Sequence, residues 1–371
     1  MRRTFLRGKC MLLLLSVLLT GCGKPTAGSA RESERFTARS IVLGCYSESG
    51  ILYEKDGILC FVDYATGEDV VLCTKPNCAH IPYSAVNNPD PYCDAALPWD
   101  AFIETMIYGD KLYALVTNFD STFVYEKGVS ESEWKKLAEI PYSYYQTVKW
   151  IACNDQIYYV ANQYERQEGT LELENAIFLA YVDLTDGTYG SFTDFDEDIG
   201  TIIILYVDEK NLYYEMDYKL DVAVPEDKGW VYRMDLDTRE SEPVFRVEEN
   251  KRFAAMYGED LYYFENGDLH RVDDGGTDTC IYRGTEIYPD AEIASSGIIV
   301  SYYDKDTGDY TIIYVDYESG MIQEIERPKS EGPIVDIVGE NALVFGDVMQ
   351  VIRLTDFLAG KDNYIAQHEI P

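Results

Sequence analysis

The sequence predicts an all-β fold, a seven-bladed β-propeller, and three observations carry that expectation. A short phrase recurs along the chain: a polar turn with Gly, Asp or Asn, then Leu or Ile and tyrosine. Each copy is followed by alternating apolar and polar residues on either side of a tight turn. Tyrosine is over-used, at 32 of 371 residues, which suits strands because aromatic side chains fill a pleated, half-buried surface.

The phrase reads GILYEKDG (50–57), YGDKLYAL (108–115), NDQIYYVA (154–161), DEKNLYYE (208–215) and GEDLYYFE (258–265), with weaker copies SSGIIVSYY (295–303) and GENALVFG (339–346). The anchoring Leu or Ile positions are 52, 112, 157, 212, 261, 298 and 343, spaced by 37 to 60 residues. That spacing centres on the length of one four-stranded blade. Behind each copy comes a hairpin with a Thr-Gly, Asp-Gly or Ser-Gly type turn, as in LCFVDYATGEDVVLC and TIIYVDYESGMIQEI. Ahead of each lies another apolar run, such as AFIETMIY, TVKWIACN, TIIILYVD and IVDIVG. Four strands per unit and seven units result. Six or eight blades stay open, because the last two copies are degenerate.

Only SESEWKKLA (130–138) reads as a helix. Ring closure is expected from pairing of the first segment (36–46) with the last (363–370). The stretches LYYFENGDLHRVDD and WVYRMDLDTRES resemble blades of low-density-lipoprotein-receptor-type and TolB-type propellers, although the YWTD string of the former is absent.

The N-terminus sets the expected address. Residues 1–21 read as a signal peptide: a basic start with Arg2, Arg3, Arg7 and Lys9, then an apolar run too short to span a bilayer. The run ends at Leu19-Thr20-Gly21-Cys22, which resembles the lipobox of bacterial lipoproteins. That resemblance implies cleavage after Gly21, lipidation of Cys22, and an extracytoplasmic protein anchored to the bacterial cell membrane. Residues 22–35 are rich in Gly, Ser, Pro and charge and read as a flexible linker. The propeller occupies 36–371, with no later membrane-spanning segment.

Net charge is −35 for the whole chain, and removing the four basic residues of the signal peptide gives −39. So acidic a surface repels nucleic acid, which is excluded as a partner.

The densest chemistry is LCTKPNCAHIPYSAVNNPDPYCDA (72–95), with Cys73, Cys78, His80 and Cys93. The first reading is a disulfide among the three cysteines, which an extracytoplasmic location permits. The second is a zinc site, since three thiolates and an imidazole make a tetrahedral ligand set. Free thiols are the third. No other cofactor is expected. Seven cysteines follow Cys22, at 45, 60, 73, 78, 93, 153 and 280, an odd number that leaves one without an internal partner. A two-residue loop centred on Thr66-Gly67 would set Cys60 opposite Cys73. Lipobox, cysteine segment and Tyr-rich blades together resemble a family of uncharacterised seven-bladed lipoproteins from Gram-positive anaerobes. This resemblance implies a cell-surface propeller and no particular activity.

Other candidates are weaker. Asp194, Asp196 and Asp198 start like a calcium-binding loop, but Ile199 and Leu205 stand where Gly and Glu are needed. DDGGTD (273–278) and DKDTGD (304–309) read as hairpin turns. His270 and His368 show no partner in the sequence. Insertions at 164–176 and 218–230, with Tyr144, Tyr145, Trp150, Tyr164 and Trp230, form a candidate aromatic surface for a glycan or peptide, against packing between blades. No Gly-x-Ser-x-Gly elbow, phosphate loop or His-Glu-x-x-His occurs. The first functional reading is therefore a membrane-anchored binding or interaction module, not an enzyme, with an unknown protein or glycan ligand. The alternative is a carbohydrate-active enzyme using carboxylates at the channel mouth. A third is a subunit docked to a membrane complex.

Overall fold

Period-two alternation becomes strand almost everywhere it occurs. A computed structural model describes residues 38–368 apart from 42–43, 48, 100–101, 119–120, 145–149, 167–172, 193–198, 209, 219–228, 285–288, 305, 327–333 and 345–347. After a first strand β1 (Ala38–Ile41), blade 1 comprises β2 (Gly44–Ser47), β3 (Gly50–Lys55), β4 (Ile58–Asp63) and β5 (Asp69–Val71). Blade 2 is β6 (Phe102–Tyr108), β7 (Lys111–Thr117), β8 (Thr122–Gly128) and β9 (Lys135–Ile140). Blade 3 is β10 (Ser143–Tyr144) and β11 (Ile151–Cys153), followed by β12 (Gln156–Arg166), β13 (Leu173–Asp183) and β14 (Tyr189–Ser191). Blade 4 is β15 (Ile199–Val207), β16 (Asn211–Tyr218), β17 (Trp230–Asp235) and β18 (Ser241–Arg246). Blade 5 is β19 (Lys251–Tyr257), β20 (Asp260–Glu265), β21 (Asp268–Val272) and β22 (Asp278–Tyr282). Blade 6 is β23 (Asp290–Ile293), β24 (Gly297–Tyr303), β25 (Tyr310–Asp316) and β26 (Ile322–Ile325). Blade 7 is β27 (Ile334–Val338), β28 (Asn341–Val344), β29 (Met349–Arg353) and β30 (Tyr364–His368), with α1 (Leu354–Leu358) before the last strand. The chain is thus a seven-bladed β-propeller of antiparallel four-stranded blades.

First strands of adjacent blades contact one another (β2 with β6, β11 with β15, β23 with β27), which places them on the inside of the ring. The second strands explain the repeated phrase. Leu52, Leu112, Ile157, Leu212, Ile298 and Leu343 are all buried, as are Tyr53, Tyr113, Tyr158, Tyr213 and Tyr262. A strand packed between two neighbouring blades buries both faces, so apolar residues run consecutively. Each such side chain contributes about 1.5–3 kcal/mol of burial.

A second recurring device closes the blades. Asp63, Asp183, Asp235 and Asp316 each end a third strand. Their carbonyls accept the N–H of the residue four positions on (Gly67, Gly187, Arg239 and Gly320), at 2.7 to 3.0 Å. These four donor residues have φ between +63° and +75°. The same carboxylates accept N–H groups within the turn, from Ala65, Thr185, Thr238 and Ser319. The next residue's amide then reaches the inner hairpin of its own blade: Tyr64 to the Ser49 carbonyl, Leu184 to Asp155, Leu236 to Lys210 and Tyr317 to Ser296.

Four expectations are corrected. First, β30 pairs with β29, so the last blade takes all its strands from the C-terminal part of the chain. The N-terminal strand β1 instead pairs with β2 of blade 1 and β11 of blade 3, and packs against β6 of blade 2. It thereby satisfies backbone groups along two inner edges that a closed outer ring leaves open. Second, residues 130–138 form a turn and the start of β9, whose Ala138 and Ile140 are buried at period two. The helix among the described residues is α1. Third, Cys60 stands opposite Val71, because the turn is four residues long and centred on Ala65-Thr66. Fourth, His270 does have partners, described below. Residues 273–278 and 304–309 are hairpin turns as expected. Among the described residues no helix is long and apolar enough to cross a membrane.

Gly187 and Gly258 separate backbone strain from packing. Both have positive φ, but a Cβ at Gly187 would clash with the Leu137 carbonyl oxygen on blade 2, whereas one at Gly258 meets nothing within 4 Å. Gly258→Ala should cost about 1–2 kcal/mol, the left-handed backbone penalty alone. Gly187→Ala should cost distinctly more, and urea midpoints of the two variants measure the difference. Asp183→Ala, which removes charged acceptors from one turn, should cost about 1.5–3 kcal/mol in the same assay.

Candidate metal centre and channel carboxylates

The segment between β5 and β6 is long and has little regular structure, so its backbone must be held by specific contacts. Leu59 at the start of β4 grips both ends: its N–H donates to the Ala95 carbonyl at 2.8 Å and its carbonyl accepts from Leu72 at 3.0 Å. Leu97 adds an N–H to the Gly57 carbonyl. Near the first cysteine, Lys75 Nζ pairs with Asp94 Oδ1 at 2.9 Å, and Thr74 Oγ1 donates to Asp94 Oδ2 at 2.8 Å. These links bring residues 72–75 against 92–95.

Cys73, Cys78, His80 and Cys93 converge there, with one ligand atom from each within 4.8 Å of all the others. His80 Nδ1 lies 3.4 Å from Cys93 Sγ. Sulfur atoms around a tetrahedral ion, at metal–sulfur bonds of about 2.3 Å, sit about 3.8 Å apart, so the cluster is close to ligand geometry. The expected disulfide is not formed: all three thiols are free, as are Cys60, Cys153 and Cys280.

The backbone around the cluster is arranged for thiolates. Cys73 accepts the N–H of Lys75, Cys78 that of His80 at 3.4 Å, and Cys93 that of Ala95. Each thiol thus receives the amide two residues further on. Asn77 and His80 adopt left-handed φ of 57° and 50° to turn the chain there. Burial opposes charge on Cys73, but the Lys75 and Asp94 amides and the neighbouring thiols outweigh it and hold this thiol below its ordinary value. On Cys93 burial dominates and the thiol is pushed up. Amides that hold thiolates in place are the outer shell of a metal-thiolate site.

Lys127 of β8 completes the surroundings. Its side chain is buried, its ammonium donates to the Asp94 carbonyl, and it lies 4.9 Å from the Trp134 ring centroid. Burial pulls this ammonium down, while Asp94, Cys93 and Cys73 hold it up. Three thiolates around a divalent ion carry one net negative charge, and a buried lysine beside them balances it.

Inside the ring, β6 carries Glu104, which is half-buried. Burial raises its carboxyl to about 7, and the Trp150 indole against it offsets part of that rise. On β27, Asp336 is buried and accepts the Ile337 N–H at 2.9 Å; its charge helps raise Tyr46 and Tyr64 of blade 1. Glu292 on β23 is half-buried. The sequence signal for the first two is an acid inside an otherwise apolar first strand, in AFIETMIY and IVDIVG.

Of the aromatic surface candidates, the structure describes the side chains of Trp150 and Trp230. Trp150 is fully enclosed, which removes it from any ligand surface; it packs in the core beside Glu104. Trp230 is half-buried at the start of β17. Tyr144 and Tyr164 lie on β10 and β12, while Tyr145 falls outside the described residues, as do Asp194, Asp196, Asp198 and Cys22.

No family model matches the chain, and no curated protein does. Solved structures match by fold. A prolyl endopeptidase aligns over 91% of this chain and 50% of its own length, with a TM-score of 0.54 at 11% identity. An oligogalacturonate lyase from Vibrio parahaemolyticus covers 81% and 83%, at TM-score 0.47 and 10% identity. TolB from Acinetobacter baumannii covers 67% and 62%, at TM-score 0.35 and 12% identity. The expectation of a module that does no chemistry is corrected here: the prolyl endopeptidase shares this fold, so the propeller gives no ground for a non-catalytic reading.

If the cysteine cluster holds a metal, alkylating reagent should leave Cys73, Cys78 and Cys93 unmodified until a chelator is added. Peptide mapping with and without chelator checks this, and the thermal midpoint should fall by several degrees on metal removal.

Proposed function

We propose that the chain is an extracytoplasmic, carbohydrate-active propeller enzyme, anchored to the bacterial membrane through lipid on Cys22. One observation carries the reading: Glu104, on the innermost strand of blade 2, holds its carboxyl at about 7 through burial. A carboxylic acid that is half protonated near neutral pH can donate a proton to a glycosidic oxygen. Asp336 or Glu292, on first strands of blades 7 and 6, would serve as the second carboxylate. The net charge of −35 disfavours polyanionic substrates, so the proposed substrate is a neutral glycan. In this reading Cys73, Cys78, His80 and Cys93 hold zinc as a closed four-ligand site that ties the 72–97 segment to blade 1. A fully protein-ligated zinc leaves no position for substrate, and its role is structural.

The test is release of reducing ends from soluble glucans, xylans and mannans. Turnover should fall as pH rises through about 7, because the working form of Glu104 is protonated. Glu104→Gln should slow it by about 100-fold or more. Absence of release across the panel, or an unchanged rate in the variant, would end this reading.

The same carboxyl makes a stability prediction. Its folded pKa lies above the unfolded value of about 4.3, so its favourable contribution is complete below that value. It is lost as pH rises toward about 7. Glu104→Gln should therefore be more stable than the parent at pH 8, by up to about 3 kcal/mol, and gain nothing at pH 4. Denaturant titrations at the two pH values decide it.

A further inference from the structure

We propose that Asp268, His270 and Cys280 form a second metal site, on the outer half of blade 5, for a zinc-type divalent cation with one coordination position left open. One ligand atom from each of the three lies within 4.8 Å of the other two. The register causes this: His270 on β21 stands directly opposite Cys280 on β22, and Asp268 precedes His270 by two residues on the same strand. A bulge between Leu269 and His270 shifts the pairing there.

The ligands are already held as metal ligands are. His270 Nδ1 lies 3.0 Å from Asp278 Oδ1, and Asp278 Oδ2 in turn accepts the Tyr263 hydroxyl at 2.6 Å. Tyr263 also stacks on the imidazole, with ring centroids 5.0 Å apart. A carboxylate on one ring nitrogen fixes the tautomer and leaves the other, Nε2, for a metal. On the other side, Asp268 Oδ1 accepts the Gly284 N–H at 3.1 Å, while its Oδ2 lies 4.0 Å from Cys280 Sγ. Cys280 is exposed, so an ion can reach it from solvent.

The donor set of thiolate, imidazole and carboxylate suits zinc better than calcium or magnesium, which take oxygen ligands. Three protein ligands leave a fourth position for water or for a carboxylate of a bound molecule. This site is separate in the fold from the four-ligand cluster beside blade 1 and does not depend on it.

Native mass measurement of the full chain, prepared under reducing conditions with zinc supplied, counts bound ions. Two zinc ions are expected in the parent protein and one in Cys280→Ser; His270→Ala should match the latter. Cys78→Ser should retain the ion that depends on Cys280. If the cluster at 73–93 binds nothing, the parent holds one ion, and that ion is lost in Cys280→Ser. With cobalt in place of zinc, the thiolate charge-transfer absorption should be weaker in Cys280→Ser than in the parent, by the share of one thiolate among four. Equal zinc counts in the parent and Cys280→Ser would overturn the proposal.

Discussion

The amide that follows the third strand of a blade, donated to the carbonyl of that blade's inner hairpin, is the link on which the architecture rests. It recurs as Tyr64 to Ser49, Leu184 to Asp155, Leu236 to Lys210 and Tyr317 to Ser296, with Leu354 to Glu340 in blade 7. The aspartate just before it in the first four fixes the turn through its own carbonyl and carboxylate. One short sequence element, Asp then a large apolar residue, thus sets the turn, buries a side chain and joins the outer hairpin to the inner one. Without it a blade would be two hairpins in sequence, and isolated hairpins are marginal in water.

Once the blades are locked, the inner edges become a distinct environment. The N-terminal strand uses two of them, pairing with blades 1 and 3 and packing on β6. Glu104 lies on that same β6, close to Trp150, and burial raises its carboxyl. A group kept in such surroundings costs stability above its unfolded pKa, the usual signature of a site where chemistry conflicts with folding. Asp336, buried on blade 7, is a second carboxyl kept within the ring.

The two cysteine-containing clusters set similar side chains in different surroundings. Around Cys73, Cys78, His80 and Cys93 the backbone supplies amide donors to each sulfur, and buried Lys127 balances charge, which is what a closed, stabilising site requires. At Asp268, His270 and Cys280 three side chains project from a bulged hairpin, with hydrogen bonds to Asp278, Tyr263 and Gly284 around them. The first lies in a long irregular segment that backbone hydrogen bonds tie to β4 and Gly57, and the second lies on a paired hairpin.

The sequence by itself determined the repeat, the strand content and the seven blades, because apolar periodicity and turn residues act over a few positions and are written locally. It also placed the ligand set of the first cluster, since three of its four members lie within eight residues. It misjudged the end segments, because which edge a strand pairs with depends on what is left unpaired after the ring forms. The partners of Glu104 and the approach of His270 to Cys280 lay beyond it for a similar reason. Glu104 and Trp150 are separated by a whole hairpin unit and belong to different blades. His270 and Cys280 meet through the register of one hairpin, displaced by a bulge that no local pattern marks. Only tertiary packing decides burial and convergence, and those two quantities make a carboxyl an acid or a cysteine a ligand.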